Sequence, residues 1–527
     1  MTRAELLDSL PRQGIHDLVV VGGGATGLGV ALDAALRGFS VVLLESHDFA
    51  GGTSSRSTKL LHGGVRYLAQ GNLALVREAL AERATVLRIA PHLAQPLPFV
   101  MPSYHWWQTP FYGIGLKLYD MLAGSAGLGP TEFLNRAQTL QALPGVNPVG
   151  LRGGVKYWDG QFDDARLALA LARSAEDAGA HVLNYAEVKA VSQLSGGEGP
   201  LSSVEVSDRL TGNTFRVQAR CVVNATGVWV DALRDHTQPA ANPGTPSRMV
   251  SPSQGVHVVV DRDFMPGGHA LLVPKTRDGR VLFAVPWLGK LVLGTTDTPR
   301  QDLAREPDAF AEELDFILTE ASQALSRPVR REDIRSLWVG LRPLVAAPAA
   351  VDGGTKVLSR EHTIVVDANG LVTVTGGKWT TYRAMAEDVL ERCFDSHLLP
   401  RRPGGRSAMH RLKGAGLASP ATPLHAPPGL HLYGSESARV NDCPGGGRIL
   451  GAGLTEAMVR YAVRFEYAHT VEDVLARRSR ILFLDAAEAA RLAPAVAEIL
   501  IEELGSDPDL AGFLALCARY RPVHHLD

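Results

Sequence analysis

Three observations predict an α/β fold made of a discontinuous Rossmann-like domain, an antiparallel-sheet domain and a C-terminal helical domain. A complete βαβ unit stands near the start of the chain, and two later strands each run into glycine and small residues. Between those returns lie strand-like stretches broken by Pro and Gly. At 527 residues the chain can bury a large core without staples. Lys plus Arg is 53 against 55 for Asp plus Glu, and 45% of residues are apolar. That balance excludes a disordered chain and a nucleic-acid polycation. The four cysteines (Cys221, Cys393, Cys443, Cys517) form no CxxC or Cys/His cluster, so isolated thiols are expected, with no metal site. Met1–Leu10 lacks the apolar core of a secretory signal, and the longest uncharged stretch, Leu18–Leu32, is too short to span a bilayer. A soluble or membrane-surface protein is expected.

The first unit runs in order. Leu18–Val21 reads as a buried parallel strand, Leu28–Leu36 as a helix stopped by Gly38, and Ser40–Leu44 as the second strand. Between the first strand and the helix stands Gly22-x-Gly24-x-x-Gly27. Gly22 permits the tight turn, Gly24 lets the backbone approach a pyrophosphate, and Gly27 lets the helix pack on the strand. Ala25 and Thr26 in this turn are further candidate contacts, and the N-terminus of the following helix offers N–H groups to phosphate. Glu45 ends the second strand about 20 residues on, where a carboxylate accepts ribose hydroxyls. The acid favours NAD or FAD over NADP.

The loop from Gly51 to Lys59 is rich in glycine and hydroxyls. Thr53, Ser54, Ser55, Ser57, Lys59 and Leu60 are its candidate contacts to a second phosphate and to flavin. The strand Arg220–Asn224 returns to the nucleotide through Ala225, Gly227 and Trp229. Leu371–Thr375 returns through Gly377, Lys378 and Thr380, with a helix starting near Trp379. Residues 16–95, 150–245 and 340–396 are assigned to the nucleotide domain, and 96–149 and 246–339 to the substrate domain. Gly255–Val260, Val281–Trp287 and Leu291–Thr296 supply the antiparallel sheet. A Pro/Gly/Ser-rich linker follows over 397–429, then a helical domain over 430–527. There Thr470–Asp473 reads as a capping box that starts a helix through Arg480 and Leu484, and Pro494 marks a boundary within Ala487–Leu504.

The motifs GGGATGLG (22–29), TSSRSTKLLHGGVRYL (53–68), DDARL (163–167), VVNATGVW (222–229), GTTDT (294–298), GLRPL (340–344) and GGKWTTYR (376–383) resemble those of the aerobic, quinone-linked, FAD-dependent glycerol-3-phosphate dehydrogenases. The likeness runs from Asp17 to Glu391 and more weakly through 472–486. It implies FAD as cofactor and the fold of glycine-oxidase-like flavoproteins. It implies oxidation of sn-glycerol 3-phosphate to dihydroxyacetone phosphate in glycerol catabolism and respiration, with hydride passing to flavin N5 and electrons on to a membrane quinone. A homodimer on the inner face of the cell membrane, on the cytoplasmic side, fits that reading; nucleic acid does not.

Such chemistry needs a cationic cradle for a phosphate dianion and a base for the C2 hydroxyl. Arg is favoured for phosphate because its planar fork binds two oxygens. Arg342 and Lys378 lead the candidates, followed by Arg66 with Tyr67, then Arg360. Lys378 serves equally as a cation near reduced flavin. For the base, His62 and His257 are the histidines placed in suitable motifs. The aromatic stretch His105–Tyr119 suits a membrane interface, a quinone path or a helix core face. Arg477, Arg478 and Arg480 suit anionic lipid or a solvated helix face. Three other readings stay open: an oxidase releasing hydrogen peroxide, an amine oxidase needing a carboxylate site, and a flavin-binding sensor.

Overall fold

The computed structural model describes residues 3–64, 72–194, 201–237, 248–346, 361–416 and 421–521. Among these, one sheet has eight strands, and its main path runs His362–Val366, Leu371–Gly376, Thr214–Asn224, His16–Val21, Val41–Leu44, His181–Leu183. All pairs along it are parallel except the outermost, His362–Val366 on Leu371–Gly376. The first strand is central because Leu18–Val21 is apolar on both faces and every one of these side chains is buried. The chain leaves it to one side for Val41–Leu44 and reaches Thr214–Asn224 on the other, so a crevice opens at the carboxyl ends where connections diverge. The register lines those ends up: Val21 lies beside Asn224 and Leu44, and Asn224 beside Thr373. Helices Ala25–Leu36, Asp164–Asp177 and Tyr382–Asp395 pack together against this sheet.

The other large sheet has ten strands among the described residues and is antiparallel except where Ala270–Val273 meets Ala94–Ser103. Its centre, Val250–Asp261, pairs with both Lys290–Gly294 and Ser336–Val345. The expected domain boundaries therefore shift. Leu60–Leu61 and Gly153–Phe162 belong to this sheet although they fall within the expected nucleotide segments 16–95 and 150–245, and Ser336–Val345 crosses the expected boundary at 340. Gly153–Phe162 is buried at nearly every position. It is buried on two faces because helices and the C-terminal unit both cover it.

The last unit is helical as expected, with one short hairpin. The Thr470–Asp473 box forms: Asp473 N–H donates to Thr470 Oγ1 at 3.1 Å, and Thr470 N–H donates to Asp473 Oδ2 at 3.0 Å. Asp473–Arg478 then widens to a π turn, and Arg480 at φ 67° breaks the helix before Ile481–Leu484. Pro494 is no boundary, because Ala486–Leu504 runs through it, held by the buried stripe Ala489, Leu492, Ala493, Val496 and Leu500.

Arg477, Arg478 and Arg480 meet neither lipid nor water. Arg477 and Arg478 both pair with buried Asp48, and Arg480 pairs with Asp164 at 3.0 Å. Asp48 and Asp164 stand more than 300 residues away in sequence, although Arg477 also pairs with nearby Glu472 and Asp473. Cys221 and Cys393 are not isolated: their sulfurs lie 3.7 Å apart, both thiols free and buried.

At the junction with the C-terminal unit, His92 is buried beside Arg166, and desolvation followed by that charge lowers its pKa to about 3. A histidine kept neutral in the fold gives stability that is full above its unfolded pKa near 6.5. That stability is lost as pH falls toward 3, because the unfolded chain takes the proton first. Between pH 6.5 and 5 the loss amounts to about 2 kcal/mol. Chemical denaturation of the wild type and His92→Gln should show the wild type losing about that much more over this range. Parallel pH profiles would contradict it.

Candidate active site

The first strand ends at Gly22, φ 113°, where an added Cβ would stand 2.5 Å from Ala225 O. At Gly27 an added Cβ would stand 1.9 Å from Gly22 O, so the helix sits on the turn with no room for a side chain. The helix starts at Ala25, whose N–H donates to Ser54 Oγ at 3.0 Å. Glu45 closes the loop: Oε2 accepts from Gly23 N–H at 2.7 Å and Oε1 from His47 N–H at 2.9 Å. Thr53 Oγ1 donates to Leu341 O at 2.6 Å, which ties the hydroxyl-rich loop to the antiparallel sheet. Trp379 Nε1 donates to Ser54 O at 2.9 Å, which ties it to the last helix start.

These elements wall one cavity of about 740 Å³. Of the expected nucleotide contacts, Gly22, Gly24, Ala25, Thr26, Glu45, Thr53, Ser54, Ser57, Leu60, Ala225, Gly227, Trp229, Gly377, Lys378 and Thr380 line it. Three expected contacts do not. Gly27 lies behind the turn as its packing role requires. Ser55 is buried and turns its hydroxyl to Gly52 O at 3.4 Å. Lys59, at φ 64°, points its fully buried ammonium at Ser55 O and Asp164 Oδ2, each 2.7 Å away. The left-handed backbone turns Lys59 over, which a hydroxyl- and glycine-rich pattern gives no means of foreseeing.

His62, His257, Arg342 and Lys378 line the same cavity at the end made by the antiparallel sheet and the Gly376–Gly377 turn. Arg66, Tyr67 and Arg360 lie outside the described residues. Arg342 is held before any ligand arrives: Nη2 donates to Thr296 O at 2.9 Å and to Thr295 Oγ1 at 3.2 Å, and Nη1 lies 3.1 Å from Asp297 Oδ1. His257 is buried, with Nε2 2.9 Å from Thr58 Oγ1 and its ring stacked on Trp338 at 5.2 Å. Burial, then Lys59, then Arg342 push its pKa well below the ordinary imidazole value, so the ring is neutral. Its Nδ1 is closed off from solvent with no hydrogen-bond partner among the described residues. Thr380 Oγ1 donates to His62 O at 3.4 Å.

Sequence reasoning passed over several lining groups. Thr58 stood inside a quoted motif with no role given to it. Arg56, buried and paired with Glu306, stood there too. Arg305 gave no local signal; its guanidinium lies 5.3 Å from the Trp229 ring centre and donates to Ser46 Oγ at 2.8 Å.

A glycine cradle with an acid at the second strand's end, open to a second sheet bearing cations and histidines, defines an FAD-dependent oxidoreductase. Residues 17–387 match the family described as DAO, FAD dependent oxidoreductase, and residues 430–510 match the C-terminal domain of alpha-glycerophosphate oxidase. Among similar proteins are the mitochondrial glycerol-3-phosphate dehydrogenases of Homo sapiens and of Schizosaccharomyces pombe. The first is 40% identical over 96% of this chain and 72% of its own length, the second 37% over 98% and 89%. The solved glycerol-3-phosphate dehydrogenase of Bacillus halodurans, complexed with FAD, superposes with a TM-score of 0.77 at 29% identity, covering 100% of this chain and 99% of that one. The FAD-bound L-alpha-glycerophosphate oxidase of Mycoplasma pneumoniae (TM-score 0.55, 17% identity, 75% and 98% covered) shares the fold. So does glycine oxidase of Geobacillus kaustophilus (TM-score 0.50, 21% identity, 74% and 96% covered). The chain belongs to the FAD-dependent glycerol-3-phosphate dehydrogenase family, and FAD is its cofactor.

The crowding at Gly27 yields a direct check. Gly27→Ala forces the helix off the turn that faces the pyrophosphate, so the purified variant should lack visible flavin absorbance and bind added FAD at least tenfold more weakly. Wild-type FAD content would contradict the assignment.

Proposed function

We propose that this protein oxidises the C2 hydroxyl of sn-glycerol 3-phosphate to dihydroxyacetone phosphate and delivers the electrons to a membrane quinone. One observation carries the reading: a single cavity joins the glycine cradle to Arg342, Lys378, His62 and His257. Bound FAD supplies the two-electron acceptor; the chain's own residues do the rest. Arg342, fixed by two carbonyls, Thr295 and Asp297, offers a preset fork to phosphate oxygens, and Lys378 adds a point charge. His257 is neutral at rest and becomes imidazolium on taking the C2 hydroxyl proton at Nε2, since Nδ1 is buried without a hydrogen-bond partner among the described residues. Thr58 Oγ1 holds Nε2 until substrate arrives. His62 lines the same space and is the second candidate for the base.

Anaerobic addition of glycerol 3-phosphate should bleach the yellow protein while glycerol and glycine do not; bleaching by glycine instead would point to an amine oxidase. Arg342→Ala should keep FAD and weaken substrate binding by about 2 to 4 kcal/mol, roughly 30- to 1,000-fold in KM. An unchanged KM removes Arg342 from the cradle.

The quinone reading draws support from helix Gln108–Ala123. Its inner face buries Leu116, Tyr119 and Ala123. Its outer face and approach expose Trp106, Trp107, Phe111, Ile114 and Met121, an apolar patch of the kind that marks an interaction site. No helix among the described residues is long and apolar enough to cross a membrane. The protein should float with liposomes, and Phe111→Ser with Ile114→Ser should cut that fraction at least severalfold while anaerobic bleaching stays at the wild-type rate. Wild-type flotation by the double variant would exclude this helix from membrane contact.

A further inference from the structure

Arg480 is the point at which the C-terminal unit reaches the reaction site. It is fully buried and held in the left-handed region at φ 67°, directly after the π turn Asp473–Arg478. A non-glycine residue there carries strain that the surroundings must hold in place. Its Nη2 donates to Ser55 O at 2.7 Å and to Asp164 Oδ1 at 3.0 Å, while Nη1 donates to Ala476 O at 2.9 Å. Lys59, also left-handed and fully buried, grips the same two partners from the other side. Asp164 Oδ2 further accepts from Ser57 N–H at 3.1 Å and Ser57 Oγ at 2.7 Å.

The segment Ser55–Lys59 is thus tied at three of its five residues to one carboxylate and two cations. Thr58 lies within it, and Thr58 Oγ1 is 2.9 Å from His257 Nε2. The same cluster touches His257 through a second route: Lys59 Nζ lies 5.0 Å from the centre of the Trp338 ring, on which His257 stacks. The cluster thus holds the backbone before Thr58, at Ser55 O and Ser57 N–H, and the Lys59 side chain directly after it.

We propose that Arg480 is a positioning residue for the oxidation. Through Asp164 and the Ser55 carbonyl it fixes the Ser55–Lys59 backbone so that Thr58 holds the His257 ring with Nε2 toward the cavity until substrate takes its place. This rests on the reading of His257 as the proton acceptor.

The test compares Arg480→Lys and Arg480→Met with wild type and with His257→Asn, all as FAD-loaded protein. A lysine keeps the charge but cannot bridge Ser55, Asp164 and Ala476 at once. Arg480→Lys should fold and bind FAD. Its flavin reduction at saturating glycerol 3-phosphate should slow by about tenfold to a hundredfold, the scale set by misplacing a reacting group. The substrate dissociation constant should move less than twofold. Deuterium uptake in the peptide over 53–61 should rise, in the FAD-free protein as well as the loaded one. A wild-type reduction rate in folded Arg480→Lys, or a lowered melting temperature with unchanged uptake over 53–61, overturns the proposal. Arg480→Met should be slower still; if it does not fold, Arg480→Lys decides. Wild-type reduction by His257→Asn removes the base and this proposal together, whereas a slow His257→Asn beside a fast Arg480→Lys removes Arg480 alone.

Discussion

The reaction site depends on one buried carboxylate. Asp164 opens helix Asp164–Asp177 just after strand Gly153–Phe162, so it stands where the chain passes from the antiparallel sheet to the parallel one. Against desolvation by burial, Lys59 and then Arg480 hold its pKa below the ordinary carboxylate value, with hydrogen bonds from Lys59 and Ser57 adding to them. Breaking such a buried pair typically costs about 3 to 5 kcal/mol, because the remaining charge is left without compensation. Here the charge also orders the hydroxyl-rich loop. That loop sends Ser54 to the helix start at Ala25, Thr53 to Leu341 of the antiparallel sheet and Thr58 to His257. One short segment therefore sets the spacing between the dinucleotide cradle and the candidate base.

The cavity's charge follows from this arrangement. Among the described residues it is lined by Arg56, Lys189, Arg305, Arg342 and Lys378, against only Glu45 and Glu187. Glu45 spends both oxygens on local N–H groups near the glycine turn, which leaves the other end net positive. Asp297 beside Arg342 is the counterweight: it keeps an inward guanidinium tolerable without substrate and orients its fork. Burial first, and then the neighbouring Lys59 and Arg342, keep the His257 imidazole unprotonated.

What could be read from the sequence was local in the chain. The glycine turn, Glu45, and the returns at Ala225–Gly227 and Gly376–Lys378 each declare their geometry within a few residues, and all line the cavity. The aromatic helix was legible as a helix but not as an exposed one, since its period fits core or interface alike until its inner face is seen to be Leu116 and Tyr119. Long-range electrostatics were not legible. Arg478 and Arg480 resemble a surface run because the carboxylates that bury them, Asp48 and Asp164, stand more than 300 residues away. Lys59 sits in a loop of phosphate-binding character, yet a single positive φ turns it into the core. The antiparallel pairing of Gly153–Phe162 with Ala94–Ser103 and of Ser336–Val345 with Val250–Asp261 was not legible either, since the partner strands stand about 50 or more residues away.

The most direct measurement is a crystal structure of the FAD-loaded protein with dihydroxyacetone phosphate. The account predicts phosphate density within hydrogen-bond reach of Arg342 and Lys378, with the C2 oxygen facing His257 Nε2 or His62. Phosphate density elsewhere, out of hydrogen-bond reach of Arg342, would contradict it.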